Sequence, residues 1–166
     1  MDADFYRSID DIVDIIKFAK DQKRGCCLLI GAGCSVKAGI PTAAGLVEEI
    51  KKRWPQAYAR APEKSYFRCM EQVVRGQRRD LIAEYVDQAR VNWAHIGIAL
   101  LVKEGFVDRI LTTNFDPLVL RACALLREFP AVYDFAASQL FKTADIPDKA
   151  VFYLHGQRTG FILIID

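Results

Sequence analysis

The stretch Leu28-Leu29-Ile30-Gly31-Ala32-Gly33-Cys34-Ser35-Val36-Lys37-Ala38-Gly39-Ile40-Pro41 decides the fold. Its apolar beginning, led in by Cys26 and Cys27, has the pattern of a strand buried in a parallel sheet. The run stops in a loop of small residues, where backbone N–H groups can approach an anionic ligand with no side chain in the way. Ser35 to Ala38 is long enough for one helical turn, and Gly39 is its natural stop. Two later segments share the design. Ile110-Leu111-Thr112-Thr113-Asn114-Phe115-Asp116 is an apolar strand running into polar residues, and Val151-Phe152-Tyr153-Leu154-His155-Gly156 is another that ends at an imidazole. Three strands thus carry their polar chemistry at their C-terminal ends, where open α/β sheets bind ligands. The expected fold is α/β, a Rossmann-like parallel sheet with a helical insertion.

The flanking sequence supplies the helices. Ile9, Ile12, Val13, Ile16 and Ala19 recur at helical spacing, with Asp10, Asp11 and Asp14 toward the positive end of the helix dipole and Arg24-Gly25 closing the segment. Thr42 is a good N-cap for a helix through about Trp54, stopped by Pro55. From Glu63 to Glu104 the pattern is helical, with stripes at Phe67, Met70, Val73 and Val74, at Leu81, Ile82, Tyr85 and Val86, and at Ile96, Ala99, Leu100 and Val102. Gly76 and Val91-Asn92 are the expected breaks. The chain reads as one domain, residues 1–166, with a helical insertion over about 55–104. That is longer than a simple crossover needs, and suits a helical lobe over the ligand cleft. Val107–Thr112 is a strand, Asp116–Arg127 a helix with Pro117 in its first turn, and Ala131–Tyr133 a short strand. Ser138–Lys149 reads as irregular, Ala150–Leu154 as a strand, and Phe161–Ile165 as a last apolar run. A bare apolar edge is an aggregation hazard. The sheet is therefore expected to be incomplete at the C-terminal end or completed there by a partner.

Composition excludes several classes. The chain has 166 residues and a net charge of +2, with no long basic block and no aromatic–basic interleaving, so nucleic-acid binding is not implied. Lys51-Lys52-Arg53 and the trio Arg75, Arg78 and Arg79 read as solvated faces. The acidic start, Met1 to Asp4, is followed by no apolar core of a signal peptide, and no run has the length of a membrane span. The five cysteines form no C-x-x-C pair and the two histidines lie far apart. No metal site is expected, and a reducing cytoplasm fits best. Cys26, Cys27 and Cys123 read as small core residues. Cys34, in the glycine loop, is either a tolerated small residue or a thiol activated at a helix N-terminus.

Taken singly, the polar residues leave alternatives open. Asn114 and Asp116 are either caps for the helix starting near Pro117 or parts of a ligand site. His155 is either a turn histidine or a general base, and His95 reads as a packing or hydrogen-bonding histidine. The Gly31-Ala32-Gly33 loop is not the standard dinucleotide fingerprint, because Val36 stands at the third glycine position. The longer string Gly-Ala-Gly-x-Ser-x-x-x-Gly-Ile-Pro, Gly31 to Pro41, resembles the opening motif of the sirtuin superfamily. Thr113-Asn114-Phe115-Asp116 resembles its Gln-Asn-Ile-Asp motif, and Leu154-His155-Gly156 its catalytic His-Gly. The motifs come in the same order and span about residues 26–156. Two departures separate the chain from the deacylases. Ala43 and Ala44 stand where those carry an aromatic residue and an arginine, and no cysteine after Cys123 is present for their zinc module. With Thr112-Thr113-Asn114 in place of Thr-Gln-Asn, the sequence is similar to the zinc-less, NAD-hydrolysing branch found in prokaryotic antiphage defence.

That resemblance implies a cytoplasmic NAD glycohydrolase with NAD as substrate and no zinc, releasing nicotinamide and ADP-ribose as the effector of an abortive-infection complex. It implies catalytic roles for Asn114, on ribose hydroxyls or the attacking water, and for His155, as general base near neutral pH. Backbone groups of Gly31, Ala32 and Gly33 would receive the pyrophosphate, Ser35 a phosphate or ribose oxygen, and Asp116 the nicotinamide carboxamide. Ile40, Pro41 and Thr113 complete the cofactor-binding set. An unregulated NAD hydrolase would kill its host, so a homo-oligomer or a trigger or regulatory subunit is expected as partner. The alternatives are an NAD-dependent protein deacylase and a non-catalytic subunit that binds NAD or ADP-ribose.

Overall fold

The computed structural model describes residues 7–135 and 148–157. Helix α1 (Ile9–Asp21) leads into β1 (Cys26–Ile30) and two 3₁₀ turns, Ala32–Cys34 and Val36–Ala38. Helices α2 (Ala43–Arg53), α3 (Pro55–Arg60), α4 (Tyr66–Glu71), α5 (Arg75–Gln88) and α6 (Trp93–Lys103) follow. The chain then runs through β2 (Val107–Thr112), α7 (Leu118–Leu125), β3 (Ala131–Asp134) and β4 (Ala150–Tyr153).

The strands form a four-stranded sheet in the order β1-β2-β4-β3, and each pairing is parallel. This is the Rossmann-like α/β arrangement that the apolar runs imply. Register positions the site. Thr112 lies between Ile30 of β1 and Tyr153 of β4. The ladder continues one step past the strands, with Thr113 N–H donating to the Ile30 carbonyl at 3.2 Å and Leu154 N–H to the Thr112 carbonyl at 2.9 Å. The ends of β1, β2 and β4 are therefore level, and the three polar segments start side by side.

Two cores hold this together. Alternation along the strands sends Ile110, Val151 and Tyr153 to one face of the sheet. There they meet Ile98, Ala99 and Val102 of α6 and Val119, Ala122 and Cys123 of α7. The second core lies among α2 to α5, with Ile50, Met70 and Val86 fully buried, and it includes Ile40 and Leu118. Burying side chains of this size contributes about 1.5–3 kcal/mol each. The helix ends are set locally. The hydroxyl of Thr42 accepts from Gly45 N–H at 3.3 Å, as an N-cap should. Gly39, at φ 98°, takes the left-handed conformation that ends the second 3₁₀ turn.

Several elements differ from the sequence expectation. Pro55 starts α3 instead of merely stopping α2, because a first helical residue needs no N–H. The break between α4 and α5 falls at residues 72–74, and Gly76 sits in the first turn of α5. Val74 is extended there and 68% exposed, outside the stripe it was assigned to. Cys27 is exposed, since it points to the opposite sheet face from Leu28. Helix α1 is amphipathic yet buries none of its residues. The expected Phe161–Ile165 run and most of the Ser138–Lys149 segment lie outside the described residues. Among the described residues, no helix is long and apolar enough to cross a membrane.

Candidate functional site

The loop after β1, the segment after β2 and the turn after β4 meet around one serine. Ser35 is 1% exposed. Its Oγ donates to Asp116 Oδ2 at 2.8 Å and accepts from Asn114 Nδ2 at 3.1 Å. His95 Nε2 lies 3.4 Å from the same oxygen. The histidine tautomer follows from its other side. The Asn92 backbone N–H donates to His95 Nδ1 at 3.2 Å, so a neutral ring carries its proton on Nε2, facing Ser35. Burial holds the His95 imidazole below its ordinary pKa of 6.5, against the opposing pull of Asp116. One hydroxyl thus fills its single donor and both acceptor positions with protein partners.

The carboxylate and the amide are fixed in turn. Asp116 Oδ1 accepts from Leu118 N–H at 3.0 Å, and its main-chain carbonyl accepts from the Tyr153 hydroxyl at 3.1 Å. Asp116 therefore does serve the start of α7, one of its two sequence readings. Asn114 takes no part in that capping. Its Nδ2 donates to the Gly31 carbonyl at 3.2 Å as well as to Ser35, which spends both amide hydrogens. Its backbone N–H donates to Thr112 Oγ1 at 3.0 Å. Among the described residues, no donor reaches the side-chain oxygen of Asn114, which leaves it an open acceptor. Because the Gly31 carbonyl can only accept, the amide orientation is set by the network.

A cavity of about 290 Å³ opens onto this network. Ala32, Ser35, Thr113, Asn114, Phe115, Asp116 and His155 line it from the strand ends. Ile40, Pro41, Ala43, Leu46, Tyr66 and Phe67 line it from the helical side. Of the residues expected from sequence, Gly31 and Gly33 are not in the cavity wall. Gly31 holds the loop close to β2, since a Cβ there would sit 3.3 Å from Thr113 Oγ1. A Cβ at Gly33 would meet nothing within 4 Å, so the open space beside it is not demanded by the fold. Ala32 and Gly33 open the first 3₁₀ turn, so their N–H groups are not used within it. His155 is exposed, in a turn closed by Gly156 at φ 84°, a conformation that favours glycine.

Two readings change at this point. Ser35 was expected to reach a ligand oxygen, yet its hydroxyl is committed to Asp116, Asn114 and His95. Burial, reinforced by Asp116, pushes the Cys34 thiol above its ordinary pKa, the opposite of the shift that an activated thiol needs. Ala43, Leu46, Tyr66, Phe67 and Phe115 were not anticipated as lining residues. Phe67 was visible only as part of a helical stripe, and a stripe looks the same whether it faces a core or a cavity. Among the described residues, no group of three or more His, Cys, Asp or Glu could hold a metal ion.

No protein-family model and no curated protein matches the chain. Solved structures do. One, from work on the structural basis of sirtuin substrate affinity, is 22% identical, covering 91% of this chain and 48% of its own, with a TM-score of 0.49. Another, a Sir2 mutant with a p53 peptide and NAD, is 24% identical over 70% of this chain and 41% of its own, with a TM-score of 0.41. The chain spans less than half the length of either structure.

Proposed function

We propose that the chain is an NAD glycohydrolase, cleaving NAD to nicotinamide and ADP-ribose, and that this activity serves antiphage defence as the toxic step of an abortive-infection complex. The observation that carries the chemistry is Asn114. Its two amide hydrogens are tied to Gly31 and Ser35, and its Oδ1 remains an acceptor in a cavity whose wall includes the exposed His155. The defence assignment rests on the motif resemblance and on the Thr112-Thr113-Asn114 variant.

The reaction breaks the bond between ribose C1′ and the nicotinamide nitrogen. The electron pair leaves with the nicotinamide ring, whose cationic nitrogen makes it a fair leaving group. A water oxygen bonds to C1′ and gives up a proton, as in other glycoside hydrolyses with oxocarbenium-like transition states. In this reading Asn114 Oδ1 accepts a hydrogen bond from a ribose hydroxyl or the attacking water, and His155 takes the proton. Asp116 keeps lone pairs beyond those used by Leu118 and Ser35, and these suit the N–H of a carboxamide. The N–H groups of Ala32 and Gly33 suit the pyrophosphate. Small-molecule sites range over about 300–1,000 Å³. At about 290 Å³ this cavity falls just short of that range, which suits the nicotinamide–ribose half of NAD and not the whole dinucleotide. Control by assembly, in an oligomer or with a trigger subunit, belongs to the same proposal.

The test is chromatography of NAD incubated with the protein and with His155→Ala. Nicotinamide and ADP-ribose from the wild type, and neither from the variant, is the expected result. Wild-type protein that binds NAD and leaves it intact, alone and in its assembled form, refutes the hydrolase reading.

A further inference from the structure

We propose that Asp134 is a positioning residue: its carboxylate ties down the far side of the turn that carries His155 and so holds the imidazole at the cavity wall. That His155 acts as general base rests on the reading above; the tether rests on the geometry of the strand ends. Asp134 is the last residue of β3 and lies level with Tyr153 of β4. The ladder continues one step past the strands here too, with Phe135 N–H donating to the Tyr153 carbonyl at 3.1 Å. Ile30, Thr112, Tyr153 and Asp134 thus form one row across the sheet. Residues level on neighbouring strands share a face, so β3, like the other three strands, brings a polar group to the C-terminal end of the sheet. The Tyr153 phenol senses it: burial pushes its pKa far up, and the carboxylates of Asp116 and Asp134 push in the same direction.

The turn gains from an anchor outside itself. His155 is exposed, so packing does little to fix it. The turn's own bond, from Gly156 N–H to the Tyr153 carbonyl, is long at 3.4 Å. Two bonds to neighbouring strands bracket it. On the near side Leu154 N–H donates to the Thr112 carbonyl at 2.9 Å, and on the far side Gln157 N–H donates to Asp134 Oδ2 at 3.0 Å. The first is a main-chain bond that does not depend on side chains. The second needs an acceptor side chain at the end of β3, where aspartate, a poor strand former, stands. An ionised acceptor also makes the stronger bond. Neither Asp134 nor Gln157 is in the cavity wall, so losing this bond frees the turn without removing a ligand contact. Misplacing a reacting group by about 1 Å can cost about 100-fold in rate.

Full-length wild type, Asp134→Ala and Asp134→Asn test this, the asparagine keeping an oxygen that can accept. With NAD, the alanine variant is expected to lose about 10- to 100-fold in kcat with KM within about twofold. The asparagine variant is expected to recover most of that loss. An unchanged kcat in the alanine variant overturns the proposal. So do equal losses in both variants, which would make the charge and not the acceptor matter, and so does a loss carried by KM. The second measurement needs no NAD: exchange of the Gln157 amide and relaxation of the His155 ring, both by nuclear magnetic resonance on the free protein. In the alanine variant Gln157 is expected to exchange at least about 10-fold faster and the ring to move more, with the amides of β1, β2 and β4 unchanged. Wild-type behaviour at both positions overturns the proposal, and so does faster exchange throughout the sheet, the mark of a general loss of stability. If the wild type leaves NAD intact the hydrolase reading fails, and these two signals decide by themselves whether Asp134 holds the turn.

Discussion

Replacing Ser35 by alanine separates two views of this residue. In the structure its hydroxyl is a hub, 1% exposed, with Asp116 at 2.8 Å, Asn114 at 3.1 Å and His95 at 3.4 Å. Removing it takes a charge-assisted bond from the Asp116 carboxylate, worth about 1.5–3 kcal/mol. Asn114 keeps the Gly31 carbonyl and loses its second partner, which adds about 0.5–1.5 kcal/mol for a neutral bond. The His95 contact is long and adds little. The expected destabilisation is therefore about 2–4.5 kcal/mol, a large part of the roughly 5–15 kcal/mol that holds a typical domain together. With a urea slope of about 2 kcal/mol per molar, the middle of the usual range, the midpoint should fall by about 1–2 M. Urea unfolding of wild type and Ser35→Ala, followed by circular dichroism, measures it. Were Ser35 instead a ligand contact, its loss would weaken NAD binding and leave the midpoint nearly in place. A shift equivalent to less than about 0.5 kcal/mol, the range of ordinary surface substitutions, refutes the hub.

Gly33→Ala should behave in the opposite way. Nothing lies within 4 Å of the added Cβ, and a helical turn gains up to about 1 kcal/mol from the change, so stability should hold while NAD affinity drops at least about tenfold as the methyl enters the space beside the loop. Equal affinity by calorimetry would show that the ligand does not approach there. Stability should also depend on acidity through His95. The folded protein keeps this ring neutral below its ordinary pKa of 6.5. As pH falls past that value the unfolded chain takes up a proton first, so stability is full above it and is lost as pH falls through the folded-state pKa. Urea midpoints between about pH 7.5 and 5.5 should fall more steeply for wild type than for His95→Gln, and parallel slopes would count against a neutral buried ring.

How much of this could be read from sequence depends on the range of the forces involved. The strands β1, β2 and β4 were legible because each is a continuous apolar run that ends sharply in polar or glycine residues, although β1 lies at the edge of the four-stranded sheet and leaves Leu29 67% exposed. The Gly39 stop and the Thr42 cap were legible because both are satisfied within a few residues. The break near Gly76 was misplaced because helical glycine is only a modest cost, and the extended backbone at Val74 leaves no mark in composition. His95 was readable as a hydrogen-bonding histidine, but not as a neighbour of Ser35, since 60 residues separate them. The helical wall was illegible for the same reason. Tyr66 and Phe67 join the site only through the packing of α4 with its neighbours, and no local pattern reports that.

The network also explains why one loop serine could look like a ligand contact and yet act on the ligand only at second hand. Parallel register brings Ile30, Thr112 and Tyr153 level, so the chain leaving β1 runs against the chain leaving β2. At that spacing Asn114 reaches the Gly31 carbonyl, and Ser35, one turn further on, comes within reach of both Asn114 and Asp116. A side chain that joins two functional groups in a buried space has no capacity left for a third partner. Its hydroxyl sets the orientation of the amide and the carboxylate, and those present their remaining lone pairs to the cavity. The small residues at 31–33 and the serine that follows are thus two devices. The first keeps side chains out of the space beside the loop, and the second holds the wall behind it rigid. Any anion seated on the loop would meet backbone donors whose position is fixed, through Ser35, by the same contacts that aim Asn114.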